Sequence, residues 1–166
     1  MPHNHARTPP ANAPPKGFTL VEILIVVIIL GILASVVFAG FKDAVSESRQ
    51  AAFATELHHY VTAADYYAAD TGQLMADSGS GQVPDGFERY INTGDWESAT
   101  PLGGVWDTEG SDSGFTAGLG VHFNNNDSPG DTVMSQVDGI IDDGDLTTGL
   151  FRQAADVNRF YYVLVY

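Results

Sequence analysis

Three textures follow one another along the chain. From Phe18 to Phe41 the text FTLVEILIVVIILGILASVVFAGF is apolar on every side of a helix, with Glu22 its one charge. At about 1.5 Å per residue such a block reaches roughly 36 Å, enough to cross a bilayer's hydrocarbon core with some tilt. From Lys42 to Thr71 the pattern changes to a stripe: Phe53, Leu57, Tyr60, Ala64 and Tyr67 recur in steps of four and three, with Val45 and Ala52 upstream. Glu47, Gln50, Thr55, Glu56, His58, Asp65 and Ala69 fill the opposite face. Neither glycine nor proline interrupts Lys42–Thr71, so one helix of about 80 Å is expected from Phe18 to the stop signal at Gly72.

The remaining 72–166 is glycine-rich and alternates. Phe115, Ala117, Leu119, Val121 and Phe123 alternate with small or polar residues, a strand pattern. A turn follows at Asn124–Gly130. Arg159–Tyr166 reads as a second strand and Gly103–Asp107 as a third, whereas Asp77–Trp96 looks irregular. A small antiparallel sheet packed on the helical stripe gives an α+β fold. The organisation expected is a leader over 1–17, an apolar membrane segment over 18–41, its amphipathic continuation over 42–71, and an acidic β head over 72–166.

Composition sharpens this picture. Five of the eight prolines lie in the first 17 residues, which bars helix there and leaves His3 and His5 in an extended leader. With 7 Lys+Arg against 21 Asp+Glu the chain carries −14, the wrong sign for a nucleic-acid binder. Zero cysteines exclude disulfides and thiolate chemistry. Arg7 and Lys16 precede the apolar block, so the N-terminus is expected in the cytoplasm and the head across the membrane. A secretory signal peptide is the rival reading, but the run exceeds its usual 7–15 residues.

The junction Lys16-Gly17-Phe18-Thr19-Leu20-Val21-Glu22 is the most informative part. A charged carboxylate costs about 3 kcal/mol at mid-bilayer. Near the helix start the dipole favours it, and a free amine at Phe18, made by a cut after Gly17, would neutralise it. Gly17-Phe-Thr-Leu-Val-Glu22 ahead of a long apolar run resembles the type IV prepilin and pseudopilin family.

That resemblance implies cleavage between Gly17 and Phe18 by a membrane prepilin peptidase, then N-methylation of Phe18. It also implies a long helix carrying a β-rich head, and helical filaments in which Glu22 of one subunit meets the Phe18 amine of a neighbour. An inner-membrane assembly platform and minor pseudopilins are the further partners implied. The chain departs from the family in having no proline between Pro15 and Pro84, leaving Gly31 and Gly40 as weak points of the helix. It has no cysteine for the disulfide that closes many pilus-type heads, which resembles the major pseudopilins of type II secretion, whose heads often bind calcium. A major-type pseudopilin is therefore the expected function. A type IV pilus pilin serving adhesion, motility or DNA uptake, and a monomeric membrane-anchored binding module, are the alternatives.

Calcium takes six to eight oxygens, and Asp138-Gly-Ile-Ile-Asp142-Asp143-Gly144-Asp145 supplies aspartates around a glycine turn. The expected Ca²⁺ ligands are Asp138, Asp142, Asp143 and Asp145, at a spacing that is not an EF-hand's. Asn124–Asp127 with Asp131, and Asp107, Glu109 and Asp112, form two further oxygen-rich patches. Trp96 and Trp106 are assigned to the core, and His58 and His59 to a solvated helix face. No Gly-x-Ser-x-Gly, phosphate loop or His-Glu-x-x-His occurs, so no enzyme is expected.

Overall fold

The structure, a computed structural model, describes residues 17–110, 116–124, 127–155 and 158–165, with backbone alone at 37–40 and 165. The leader through Lys16, and Asp112, Phe115, Asn125, Asn126, Asp156 and Tyr166, lie outside the described residues. The chain divides into two compact units, one ending at Lys42 and one starting at Asp43.

In the first unit, helix α1 (Leu20–Thr71) begins. Every large apolar side chain from Leu20 to Leu33 is half or more exposed, so among the described residues this stretch has no buried core of its own. Among the described residues α1 is the one helix long and apolar enough to cross a membrane. A run of Ile and Val is only a moderate helix former in water, but in hydrocarbon every backbone N–H and C=O must be bonded internally, which favours helix strongly. The helix continues through Gly31 and Gly40 without a break.

In the second unit, α1 from Asp43 onward supplies one wall of the core. Phe53, Leu57, Tyr60 and Ala64 are buried as their spacing requires, and Tyr67 partly so. The upstream end of the stripe corrects the sequence reading. Ala52 is exposed, whereas Gln50, placed on the polar face by its chemistry, is buried and donates through Nε2 to Gln136 Oε1 at 2.9 Å. Stepping back from Phe53 by three reaches position 50, so geometry overrides polarity once a partner is available. Gly72, at φ +70°, closes the helix with its N–H on the Ala68 carbonyl.

The sheet opposite has four antiparallel strands in the order β1-β2-β4-β3: β1 (Val105–Glu109), β2 (Ala117–His122), β3 (Phe151–Gln153) and β4 (Arg159–Val165). Trp106, Val121 and Phe160 lie in register and face α1 together with Leu119 and Phe151, all fully buried. Trp106 stacks on Phe53 at 5.3 Å, and Tyr60 meets the edges of Trp96 and Trp106 at 5.0 and 4.9 Å. Trp96 donates its indole N–H to the Gln82 carbonyl at 2.9 Å. Burial of such rings, at about 1.5–3 kcal/mol each, is the main term joining sheet to helix.

Between α1 and β1 the chain is irregular, relieved by one 3-10 turn at Phe87–Arg89 and by a short helix α2 (Thr93–Trp96). Helix α3 (Asp131–Ile141) and strand β3 are additions to the sequence reading. Asp138–Ile141, read as part of a glycine turn, is instead the last part of α3. Met134, Val137 and Ile141 follow helical spacing, with the first two fully buried, and that packing carries Gly139 inside the helix.

Candidate functional site

At the start of α1, Gly17 and Phe18 are non-helical and exposed, Phe18 by 84%. The Gly17–Phe18 peptide bond thus stands free of the helix. Thr19 then caps it. The Thr19 backbone N–H and hydroxyl both donate to Glu22 Oε2 at 2.8 Å, while the Glu22 N–H donates to Thr19 Oγ1 at 3.2 Å. This reciprocal pair is a capping box, and the T-x-x-E spacing that announces it stands in the sequence but was passed over there. It holds the Glu22 carboxylate at the positive end of the helix dipole. Glu22 therefore has a stabilising partner inside its own chain before any neighbouring chain arrives.

The second group lies at the end of α3. Asp138, Asp142 and Asp143 present carboxylate oxygens within 4.8 Å of one another. Asp142 and Asp143 are exposed, but Asp138 is completely buried and neither of its carboxylate oxygens has a hydrogen-bond partner. Burial, then the charges of Asp143 and Asp142, push its pKa up from 3.8 to about 6. The turn is tied down around it. The Leu150 N–H donates to Asp142, the Asp145 N–H to Asp143 Oδ1 at 2.9 Å, and the Thr148 hydroxyl to Asp143 Oδ2 at 3.0 Å. Gly149, at φ +73°, leaves room for the Asp142 carboxylate where a Cβ would overlap it.

Asp145 stands apart from the other three. Its carboxylate accepts from the Thr147 N–H and hydroxyl at 3.0 and 2.7 Å, which hold it below the ordinary carboxylate range. Three acids converging on a buried, unpartnered oxygen pair is the donor chemistry of a hard cation, or of a shared proton in its place.

Asp107 and Glu109, grouped in the sequence as an oxygen-rich patch, are buried on the sheet face turned away from α1. Tyr161 donates to Asp107 Oδ2 at 2.6 Å, and Arg159 Nη1 lies 3.0 Å from Glu109 Oε2 and 3.6 Å from Asp107 Oδ2. The register explains the meeting: Asp107 on β1 and Tyr161 on β4 both pair with Gly120 of β2, which has no side chain to separate them. A Cβ at Gly120 would also collide with the Phe160 carbonyl. Burial pushes Asp107 up, and Tyr161, Arg159 and Ser80 pull it back.

Ser80 Oγ lies 2.7 Å from His122 Nδ1, so Ser80 stands between His122 and Asp107. Nucleophilic activation needs the histidine between the other two. The order here serves structure. His58 and His59 are both exposed on α1.

Against known families, the model of the prokaryotic N-terminal methylation motif matches residues 14–38. The N-terminal part of the chain is thus similar to type IV prepilins. It is 42% identical over 50 residues to the type IV major alpha-pilin of Moraxella bovis, covering 30% of this chain and 31% of that protein. It matches fimbrial protein Q of Moraxella bovis at 42% over 50 residues, 30% of this chain and 32% of that one. To fimbrial protein EcpC of Eikenella corrodens it is 30% identical over 79 residues, 47% of this chain and 52% of that protein. The matches thus span about a third to a half of the relatives' lengths, and no solved structure matches. The long apolar helix with its small antiparallel sheet is a pilin-like α+β fold.

Proposed function

We propose that this prepilin-like chain is the structural subunit of a helical pilus-like filament. One observation carries the reading: Gly17-Phe-Thr-Leu-Val-Glu22 leads into an apolar helix whose large side chains from Leu20 to Leu33 are half or more exposed. Membrane lipid, and then the same helix of neighbouring copies, would cover that surface. In this scheme the chain is held in the inner membrane with its N-terminus cytoplasmic. A prepilin peptidase cuts after Gly17, in the exposed stretch ahead of α1, and Phe18 is N-methylated. Lys16 precedes the cut. On assembly Glu22 trades the Thr19 cap for the Phe18 amine of a neighbour, a paired charge that is tolerable where an unpaired one is not.

Within this class, a major-type pseudopilin of a type II secretion system, working with an assembly platform and minor pseudopilins, is favoured by the lack of cysteine and by the acidic turn. The second reading, a type IV pilus pilin, is favoured by the pilin and fimbrial names of its relatives. The acidic turn is proposed as a Ca²⁺ site held by Asp138, Asp142 and Asp143, with Asp145 bracing the loop through Thr147. A bound cation would supply the counter-charge that Asp138 lacks.

The deciding experiment is the intact mass and N-terminal peptide of the protein recovered from membranes, for the parent chain and Glu22→Ala. A chain starting at Phe18 with one added methyl, which loses filaments but keeps membrane insertion when Glu22 is replaced, is expected. A chain still carrying residues 1–17 in peptidase-bearing cells, or normal filaments from Glu22→Ala, would overturn it.

A further inference from the structure

We propose that the unit from Asp43 onward is built for a cation-rich medium, its folded state depending on ionic strength well above the ordinary cellular level. This inference is independent of the filament reading.

Residues 43–166 contain twenty acidic side chains, four arginines and no lysine. An ordinary domain carries both signs in similar number, with lysine among its commonest residues. Among the described residues fifteen of those acids are exposed, and they are spread rather than gathered: Glu47 and Asp65 on α1, Asp85 and Glu97 in the segment after it, Asp131 at the start of α3, and Asp145 beyond its end. Four arginines are too few to offset them. Arg159 turns its charge onto the buried Asp107 and Glu109, and Arg152 donates through Nε to the Gly149 carbonyl at 2.6 Å. Arg49 and Arg89 are the two exposed arginines.

Folding gathers these charges from an expanded chain into a small volume, so their mutual repulsion acts against the folded state. The screening length is about 8 Å at 0.15 M salt and about 3 Å at 1 M. Acids on neighbouring elements therefore still feel one another in dilute medium and cease to in concentrated salt. Glu56 on α1 is one such case, pushed up by partial burial and then by the charge of Asp95 on α2. One divalent ion in the acidic turn would neutralise only two charges and leave the rest of the field in place. Monovalent cations at high concentration are the matching solvent component.

The test uses the full chain in non-ionic detergent with chelator, followed by tryptophan fluorescence, since Trp96 and Trp106 both lie in the core of this unit. Its thermal midpoint is expected to rise by about ten degrees or more between 0.05 and 2 M NaCl. A variant combining Glu47→Gln, Asp65→Asn, Asp85→Asn, Glu88→Gln and Glu97→Gln should start from a higher midpoint at low salt and gain clearly less from added salt. A midpoint that stays flat over this range overturns the proposal. So does a variant with the parent's full salt response, which would assign the effect to general salting-out of apolar surface.

Discussion

Asp107 and Asp138 are both buried carboxylates of the same unit, and the chain treats them oppositely. Asp107 receives the Tyr161 hydroxyl at 2.6 Å and lies 3.6 Å from the Arg159 guanidinium. Asp138 has no well-formed hydrogen bond on either oxygen, the Gly144 backbone offers it only weak help, and its nearest charged neighbours are two more carboxylates. Burial pushes both up, Asp138 to about 6, while Tyr161 and Arg159 pull Asp107 back. A buried acid costs several kcal/mol unless it is paired, protonated or bound to a cation. The first group therefore closes within the protein, while the second requires something from outside: a proton or an ion.

Breaking the closed group should have the largest effect. Arg159→Met leaves Asp107 and Glu109 facing each other with neutral donors in place of a counter-charge, Tyr161 and Ser80 on Asp107 and the Gly110 N–H on Glu109, and is expected to cost about 2–4 kcal/mol, the low end reflecting partial solvent access to Arg159. Urea unfolding followed through the two tryptophans measures it. A loss below about 0.5 kcal/mol would mean that water already does the work of the guanidinium.

The open group should show itself through pH. Asp138 has its pKa raised from 3.8 to about 6, so the folded protein holds that proton more tightly than the unfolded chain. Its contribution is thus fully present below about pH 4 and is lost as pH rises through about 6, a change on the order of 2–3 kcal/mol in chelator. Asp138→Asn should remove that slope, and the difference between the two proteins isolates it from the other acids. Calcium needs the ionised carboxylate, so it should restore stability above pH 6 in the parent chain and leave Asp138→Asn unmoved. Parent and variant with parallel pH profiles, or equal responses to calcium, would remove the distinction drawn between the two groups.

The smallest effect belongs to Asp145→Asn. That side chain is exposed and bonds its own turn, so only a slight loss of stability is expected, with the calcium response retained. A calcium response abolished by this substitution would place Asp145 among the ligands after all.

These two groups also mark how far the sequence could be read. Helix α1 was legible because nothing breaks its pattern over 52 residues, and β2 because Leu119 and Val121 alternate with glycines. Helix α3 was not: Pro129 and Gly130 before it and Gly139 inside it look like turn residues, and only the buried Met134 and Val137 outweigh them. Strand β3, at three residues, is too short to show a period. The gathering of Asp138, Asp142 and Asp143 was visible because they are neighbours along the chain. The fate of Asp107 was not, because Tyr161 and Arg159 lie about fifty residues away and arrive through strand register. Gln50 was misplaced for the same reason, its partner Gln136 being distant in sequence.

The lack of lysine beyond the exposed Lys42 has a practical side for anyone mapping this molecule chemically. In a chain beginning at Phe18, amine-directed labels and cross-linkers would find the Lys42 side chain and the terminal amine alone, and pass over the whole folded head. Carbodiimide coupling inverts that map, with ten exposed carboxylates among the described residues of the head as its targets.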